Sequence, residues 1–201
     1  MTRKRGGLIL SIIFIFFASI QLFNCSAGIE DSPSPGILRV TLESHPADTT
    51  IIIVTDTLTV SDNDVFLISI FQGKVYQDST YGVLYPELQS YSQEQRFYNL
   101  IEREESQYQK FTIFESYVPP FAYNKIQFGI DSRFLKLRNF DQITVVTPTN
   151  YFLDLPANFE VFENRITEVN VRVKPFEAVT RFKDSYIFEP EMEVSNVIYH
   201  P

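Results

Sequence analysis

The sequence predicts an all-β protein, an antiparallel β-sandwich of about seven to eight strands, with a barrel as the alternative. Three observations predict this class. Short segments alternate between apolar and polar residues, which is the period of a half-buried strand. Gly, Pro, Asn, Asp and Ser separate these segments at short intervals, as turn residues do. No long amphipathic helical pattern occurs, so packing one sheet on another is the expected way to bury the apolar faces.

The first element is an expected secretory signal peptide over residues 1–24. Arg3, Lys4 and Arg5 precede an apolar run over residues 8–23, and a basic head before an apolar stretch is typical of such signals. The run has 16 residues, fewer than the roughly 20 that a membrane-spanning helix needs. An uncleaved membrane anchor is the alternative interpretation.

The second element is a lone cysteine with a tether, over residues 25–36. Cys25 is the only cysteine, and the residues around it resemble the lipobox of bacterial lipoproteins. That pattern has Leu three positions before the cysteine, as Leu22 is here, and a small residue just before it, where this chain has Asn24. The sequence therefore predicts lipid attachment at Cys25, followed by a solvated Ser- and Pro-containing tether. Cleavage by the general signal peptidase, without lipid, is the alternative.

The third element, residues 37–201, is predicted to be one β-sandwich domain. Gln72-Gly73 and Asp131-Ser132 are expected to end strands, and Pro190 favours an edge position for the last segment. The clearest strand covers residues 167–174, with Val171 facing inward. The predicted extended segments are residues 37–43, 51–60, 65–71, 111–118, 125–130, 134–138, 143–147, 159–162, 167–174 and 186–194.

Residues 81–109 are the hardest part of the chain to assign. Glutamate, glutamine and serine dominate this stretch, which predicts a long exposed insertion. Phe97, Leu100 and Ile101 have helical spacing, so we expect a short helical turn near residues 94–105.

The charge of the chain excludes some partners. It has 17 basic and 25 acidic residues, and three of the basic ones lie in the signal. The mature part therefore carries a net charge of −11, which repels phosphate backbones and anionic lipid headgroups. We predict no nucleic-acid partner, and membrane contact only through the N-terminal lipid.

Short motifs in the mature part resemble a domain family of unknown function found in bacterial lipoproteins, the family numbered four-three-eight-two. The similar stretches are a strand that opens at Gly36, a turn at Pro46-Ala47-Asp48, residues 120–126 with Ala122 in place of the usual Gly, and residues 159–173 and 186–190. The resemblance covers most of residues 36–195. It implies a prealbumin-like or immunoglobulin-like sandwich on a lipid anchor in the cell envelope, with the outer membrane expected. The family has no established activity, so the resemblance implies no catalytic residue.

Known catalytic and metal-binding patterns are missing from the sequence. His45 lies beside a Pro turn and His200 next to the C-terminus, and neither belongs to a triad or zinc motif. Asp62-Asn63-Asp64 carries oxygen ligands suited to calcium, but an Asx turn is the simpler interpretation. We predict no catalytic residue, no metal site and no cofactor.

Three functions remain open at this stage. The first is a non-enzymatic envelope module that binds a protein partner or scaffolds an assembly. The second is a glycan-binding or adhesive lipoprotein, in which exposed tyrosines stack on sugar rings; ordinary loop packing is the plainer interpretation of those tyrosines. The third is an exported hydrolase that uses carboxylates. Coplanar exposed aromatic rings would favour the second function, and a cleft with a desolvated carboxylate pair would favour the third. The tyrosines in question are Tyr81, Tyr85, Tyr91 and Tyr98.

Overall fold

The computed structural model of the chain describes residues 32–138, 142–148 and 151–201. The predicted signal, Cys25 and the first part of the tether lie outside the described residues. Residues Ser34–Pro201 form one compact unit, and all the regular secondary structure among its described residues is β. The strands are β1 (Gly36–Ser44), β2 (Thr50–Ile53), β3 (Asp56–Thr59), β4 (Val65–Gln77), β5 (Thr80–Leu84), β6 (Arg96–Asn99), β7 (Arg103–Glu104), β8 (Gln107–Tyr108), β9 (Phe111–Val118), β10 (Ala122–Lys136), β11 (Val145–Val146), β12 (Phe152–Glu160), β13 (Ile166–Val173), β14 (Val179–Phe182), β15 (Ser185–Phe188) and β16 (Met192–His200).

Two sheets contain most of these strands. One has four strands in the order β16-β13-β1-β9; the other has the order β12-β10-β4-β5, and β6 also pairs with β4. Pairing is antiparallel except between β1 and β13, which run parallel, as do the short β11 and β15. These two parallel pairs differ from the antiparallel pairing that the sequence predicts, and the sheets are mixed. Local alternation cannot reveal this, because a parallel pair is joined by a long connection with no local signature.

The apolar core lies between the two large sheets. Alternate residues of β1 and β13 face inward from the four-stranded sheet, and those of β4 and β10 face inward from the other. Phe114 of β9 and Phe128 of β10 meet across the core with ring centroids 5.9 Å apart. Stacked sheets of this kind confirm the predicted β-sandwich class. The inward residues include Leu38, Val40, Leu42, Val169, Val171, Val173, Phe66, Ile68, Ile70, Ile126, Phe128 and Ile130.

Smaller sheets cover one end of the core. Strands β11, β15 and β14 form a three-stranded sheet, while β2-β3 and β7-β8 are two-stranded. Phe188 of β15 packs edge-on against Phe66 with ring centroids 5.0 Å apart. These short strands explain why the observed strands outnumber the seven to eight that the sequence predicts.

Several predicted strand limits are wrong for identifiable reasons. Residues 51–60 are the hairpin β2-β3, in which Val54 has a φ of 58°. Gln72-Gly73 does not end a strand, because β4 continues to Gln77. Asp131-Ser132 is not a turn, because β10 continues from Ala122 to Lys136.

The last third of the chain holds two more differences. Strand β12 begins at Phe152, and its residues alternate between exposed and buried throughout. The sequence predicts only its last residues as a strand, because Pro156 normally argues against one. Pro is tolerated here because β12 is an edge strand. The segment at 186–194 is two strands separated at Pro190, and the second, β16, forms the edge of the four-stranded sheet.

The region 81–109 contains strands and no helix. It supplies β5 to β8, and its turn at residues 100–101 inserts Leu100 and Ile101 into the core with 2% and 0% exposure. Asn99 Oδ1 accepts hydrogen bonds from the amides of Phe66 (2.9 Å) and Ile101 (3.3 Å) and so holds this turn. The predicted helical turn near residues 94–105 and the exposed insertion are therefore both wrong.

A search of the described residues for a helix long and apolar enough to cross a membrane finds none.

Candidate functional site

The outer face of the five-stranded sheet carries a row of aromatic side chains. Register places Tyr76 opposite Tyr81, and Gly129 between Phe71 and Phe152. Phe97 lies opposite Ser69, which is two residues before Phe71 on the same face of β4. Three of these side chains, Tyr81, Phe97 and Phe152, are 56%, 54% and 39% exposed. An outer face rich in exposed aromatic rings is a candidate binding surface.

A β-bulge in β4 shapes the middle of this face. The register of β4 against β10 shifts between Gln127 and Gly129, so that Gln72 and Gly73 together oppose Phe128. Gln72 has a φ of 52° and is exposed, while Gly73 faces the core. Because the bulge absorbs one residue, Phe71 and Gln72 both lie on the outer surface. Bulges commonly re-aim side chains in this way next to functional sites.

Gly129 holds the ring of Phe71 against the sheet. A Cβ at this glycine would lie 2.3 Å from a ring carbon of Phe71, so the ring rests directly on the backbone of β10. Phe152 packs edge-on against the same ring, with centroids 5.8 Å apart and planes inclined at 72°. The two rings therefore form an angled wall and not a flat platform.

A cleft of about 540 Å³ opens beside Phe71. The segment that borders it is tied to the sheet by two glutamine amides. Gln93 Nε2 donates to the carbonyl oxygens of Gly73 (2.9 Å) and Leu84 (3.3 Å), and Gln95 Nε2 donates to Ser69 Oγ (2.6 Å). The cleft is lined by Phe71, Gln72, Gln93, Gln95, Ile130, Asp131, Thr147, Pro148 and Tyr151.

The polar groups of the cleft include fixed hydrogen-bond acceptors. Gln93 uses both hydrogens of its NH₂ group on framework carbonyls, so it offers its carbonyl oxygen Oε1 to a ligand, while Gln95 uses one hydrogen and offers Oε1 and a second N–H. The exposed Gln72 adds a further amide with both a donor and an acceptor. Asp131 adds a carboxylate, which lies 3.6 Å from Arg133 with both side chains about 40% exposed. An ion pair so exposed contributes little, so the carboxylate is available to a ligand. The cleft therefore suits a molecule with several donors and an apolar face.

A cluster of hydrogen-bonded polar side chains lies on the same outer face, further along β10 from the cleft. Tyr76 donates its hydroxyl to Gln127 Oε1 (3.0 Å), and Gln127 Nε2 donates to Asp154 Oδ1 (2.7 Å). Lys125 Nζ lies 3.3 Å from Asp154 and 4.2 Å from the Tyr76 ring centre. These contacts hold the side chains in place beside the cleft.

The outer face of the four-stranded sheet carries a charged network with a structural role. Glu168 lies 2.6 Å from Lys110, 3.6 Å from Arg39 and 3.4 Å from His200, and Arg39 also pairs with Glu115 at 2.6 Å. Burial alone would raise the pKa of Glu168, but the Lys110 hydrogen bond and the neighbouring cations lower it below its usual value. Such pairing fixes β13, β1 and β9 side by side.

Asp48 also serves the fold. Its Oδ2 accepts hydrogen bonds from the amides of Phe176 (2.7 Å) and Glu177 (3.3 Å), and burial raises its pKa. The Tyr108 hydroxyl donates to the Asp48 carbonyl oxygen at 2.7 Å, and burial raises the pKa of Tyr108 to about 12. Asp48 therefore holds the turn at residues 174–178 to the loop after β1, and Tyr108 holds β8 to the same loop.

The residues considered for metal or catalytic chemistry have local structural contacts. His45 Nδ1 accepts from the amide of Ala47 at 3.2 Å. Asp64 accepts from the amides of Ser61 and Arg138, both at 2.8 Å, and its own amide donates to the Ser61 carbonyl oxygen at 3.0 Å. Residues 61–64 therefore form a hydrogen-bonded turn, and the carboxylate of Asp64 serves the fold. Within residues 32–138, 142–148 and 151–201, no three His, Cys, Asp or Glu side chains gather as a metal site would require.

The four tyrosines proposed for sugar stacking do not form one platform. Tyr81 lies on the outer aromatic face and Tyr91 is 94% exposed in a loop. Tyr98 lies opposite Ile68 and packs on Phe111 with centroids 5.7 Å apart, and burial raises its pKa. Tyr85 is half-buried, with its amide bonded to Ser116 Oγ at 2.6 Å. Ordinary packing is thus the better account of Tyr85 and Tyr98.

Sequence reasoning missed the residues that form the cleft. The sequence predicts strand ends at Gln72-Gly73 and Asp131-Ser132, so Phe71 and Asp131 do not stand out as site residues. It also predicts an exposed insertion over residues 81–109, which contains Gln93 and Gln95. Two glycines carried the available signal, since Gly inside a strand pattern indicates a bulge or a close approach of another group. Gly73 marks the bulge and Gly129 marks the contact with Phe71.

Comparison of the chain with protein-family models, curated proteins and solved structures gives no match. The resemblance to the family of bacterial lipoprotein domains therefore stays a prediction. What the chain does has to be argued from its own residues.

Proposed function

We propose that the chain is an exported, lipid-anchored domain of the bacterial cell envelope that binds a ligand without catalysing a reaction. The observation that carries the binding role is the cleft at Phe71. It combines an aromatic wall with fixed hydrogen-bond acceptors, and a site of this composition is typical of ligand recognition.

The proposed anchor rests on the order of features at the N-terminus. A basic head and an apolar run lead to Cys25, the single cysteine, and a polar stretch follows it. Residues 32–35 are exposed and have no regular structure, and β1 begins at Gly36. A short tether between a lipid and a folded domain accounts for this arrangement. Two or three acyl chains supply attachment that the acidic domain itself lacks.

A non-enzymatic role fits the placement of the titratable groups. Hydrolysis of a glycosidic bond by carboxylates takes two of them on either side of the substrate, about 5–10 Å apart. Among the described residues, those that line the cleft include one carboxylate, Asp131, and no histidine, lysine or cysteine. The buried carboxyls of Asp48, Asp64 and Glu168 are occupied by backbone amides or by cations. These observations favour binding over the alternative of an exported hydrolase.

The test of the anchor is the variant Cys25→Ala, compared with wild type in cells fed a radiolabelled fatty acid. Wild type should carry label and sediment with membranes, and Cys25→Ala should lose the label and leave the membrane fraction. Ser26→Ala, the neighbouring control, should behave like wild type. Asn24→Gly should speed maturation, since it supplies the small residue that the motif favours.

Two results would contradict the proposal. If wild type takes no label and its N-terminus lies downstream of Cys25, the protein is secreted without an anchor. If Cys25→Ala stays in the membrane with residues 1–24 attached, the apolar run is an uncleaved span.

A further inference from the structure

We infer that the cleft beside Phe71 binds a neutral carbohydrate chain, with the ring of Phe71 against a sugar ring and the acceptors bound to its hydroxyls. The inference rests on the proposed binding role and names its ligand class. It places the site at the β4 bulge, and Tyr81, Tyr85, Tyr91 and Tyr98 are not among the residues that line it.

The aromatic wall suits the apolar face of a sugar ring. Phe71 is held in place by Gly129 beneath it and by Phe152 beside it, so little side-chain entropy is lost when a ligand packs on it. Phe71 is the ring of this pair that lines the cleft, and Phe152 supports it from the side with its plane inclined at 72°. A single sugar ring can therefore pack on Phe71, whereas the two rings do not form a coplanar platform.

The acceptors match the hydroxyls of a sugar. The carbonyl oxygens of Gln93 and Gln95 and the carboxylate of Asp131 each need a donor, and a sugar presents several O–H donors on neighbouring carbons. The amide groups of both glutamines are already fixed by the framework at 2.6–3.3 Å. Acceptors that are oriented before binding raise affinity because they lose less freedom in the complex.

Charge restricts the class to neutral sugars. Asp131 is the one charged residue among the described residues that line the cleft; its partner Arg133, 3.6 Å away, is not among them. The mature chain also carries a net charge of −11. A uronate, a sulfate or a phosphate group would place an anion beside this carboxylate, and like charges at close range cost binding energy. The volume of about 540 Å³ lies within the range of about 300–1,000 Å³ that small-ligand sites occupy.

The face beyond the cleft offers room for further sugar units. Gln127 lies two residues from Gly129 on β10, about 7 Å away along the strand, and shares its row with Asp154 and Lys74. Tyr76 and Tyr81 form the next row. A chain that enters the cleft can therefore continue over these groups, and longer oligosaccharides should bind more tightly than single sugars.

The test is an oligosaccharide array probed with the full chain, purified in a detergent that has no sugar headgroup. The array carries neutral glucans, mannans, xylans, galactans and N-acetylglucosamine oligomers, with uronic acid and sulfated chains beside them. We expect binding to one neutral series, stronger with chain length. Affinity for the best oligosaccharide is then measured by calorimetry.

Two pairs of variants locate the site. Asp131→Asn and Phe71→Ala, which change two residues that line the cleft, should each weaken binding at least tenfold. Asp56→Asn and Phe182→Ala, which change the same residue types at exposed positions on β3 and β14, should leave the affinity within twofold of wild type. Melting temperatures of all four variants verify that each protein is folded.

Three results would overturn the inference: no binding to any sugar by the folded chain, preferential binding to the acidic series, or binding that Asp131→Asn and Phe71→Ala leave unchanged. None of these would affect the proposed anchored binding role, which fails separately if Cys25 carries no lipid.

Discussion

The stacking of the two sheets makes one glycine of β4 a sensitive probe of the core. Gly73 belongs to the five-stranded sheet, yet a Cβ at this position would lie 2.6 Å from two ring carbons of Phe114, which belongs to the four-stranded sheet. Phe114 is 3% exposed and its ring packs against Phe128, so it has little room to move. Gly73→Ala should therefore force the sheets apart or displace this ring.

The loss of unfolding free energy in Gly73→Ala can be worked out by comparison with a second glycine, Gly82. Overpacking of a well-packed core costs about 1–3 kcal/mol, while Gly→Ala also stabilises by about 0.4–1 kcal/mol through the unfolded chain. Gly82→Ala shares the second effect, but its Cβ would lie 3.5 Å from Val75, which is ordinary contact. The unfolded-state effect cancels between the two variants, so Gly73→Ala should be less stable than Gly82→Ala by about 1–3 kcal/mol.

Urea unfolding measures this difference. With a slope of about 2 kcal/mol/M, the midpoints of the two variants should differ by about 0.5–1.5 M. Adding Phe114→Leu to Gly73→Ala should recover part of the loss, since the smaller side chain leaves room for the methyl group, and the two changes should be non-additive. Equal midpoints for Gly73→Ala and Gly82→Ala would refute the reasoning, because Gly73 would then not face Phe114 across the core.

Other predictions concern the core, the charged network and metal binding. Val171 is fully buried and Val146 is 50% exposed, so Val171→Asp should lose more than about 4 kcal/mol and Val146→Asp less than about 1 kcal/mol; equal melting temperatures would show that the inward face is wrongly assigned. The lowered pKa of Glu168 means that its charge stabilises the fold above its unfolded pKa, and that this stability is lost as the pH falls through the folded pKa. Glu168→Gln should therefore be less stable than wild type at pH 7, and the difference should shrink in acid titrations below about pH 4.5. Calcium should leave the melting temperature unchanged, because backbone amides already occupy both oxygens of Asp64; a clear rise would assign a calcium site to Asp62 and Asp64.

Alternation of apolar residues is sufficient to predict much of the sandwich. The strand predicted at 111–118 is observed as Phe111–Val118, and the inward valines of β13 are buried as expected. Such residues report burial directly, because successive side chains of a strand point to opposite faces. The parallel pairing of β1 with β13 joins residues about 130 positions apart, and no local pattern carries that information.

The cleft is less predictable than the fold, because it is assembled from separate segments. Phe71, Gln93 and Asp131 meet only after β4, β6 and β10 have paired in register. The sequence predicts a strand end at Gln72-Gly73 because Gly is common in turns, whereas the chain uses both residues for a bulge. The lipid attachment predicted at Cys25 belongs to a part of the chain outside the described residues.

The most direct test of the proposed lipid-anchored export is the mass of the N-terminal peptide of the mature protein, isolated from the membrane fraction and digested with trypsin. The account predicts a peptide that begins at Cys25 and carries the added mass of a diacylglycerol on the thiol, with or without a third acyl chain on the amino group. An unmodified peptide that begins downstream of Cys25, or one that retains residues 1–24, would contradict it.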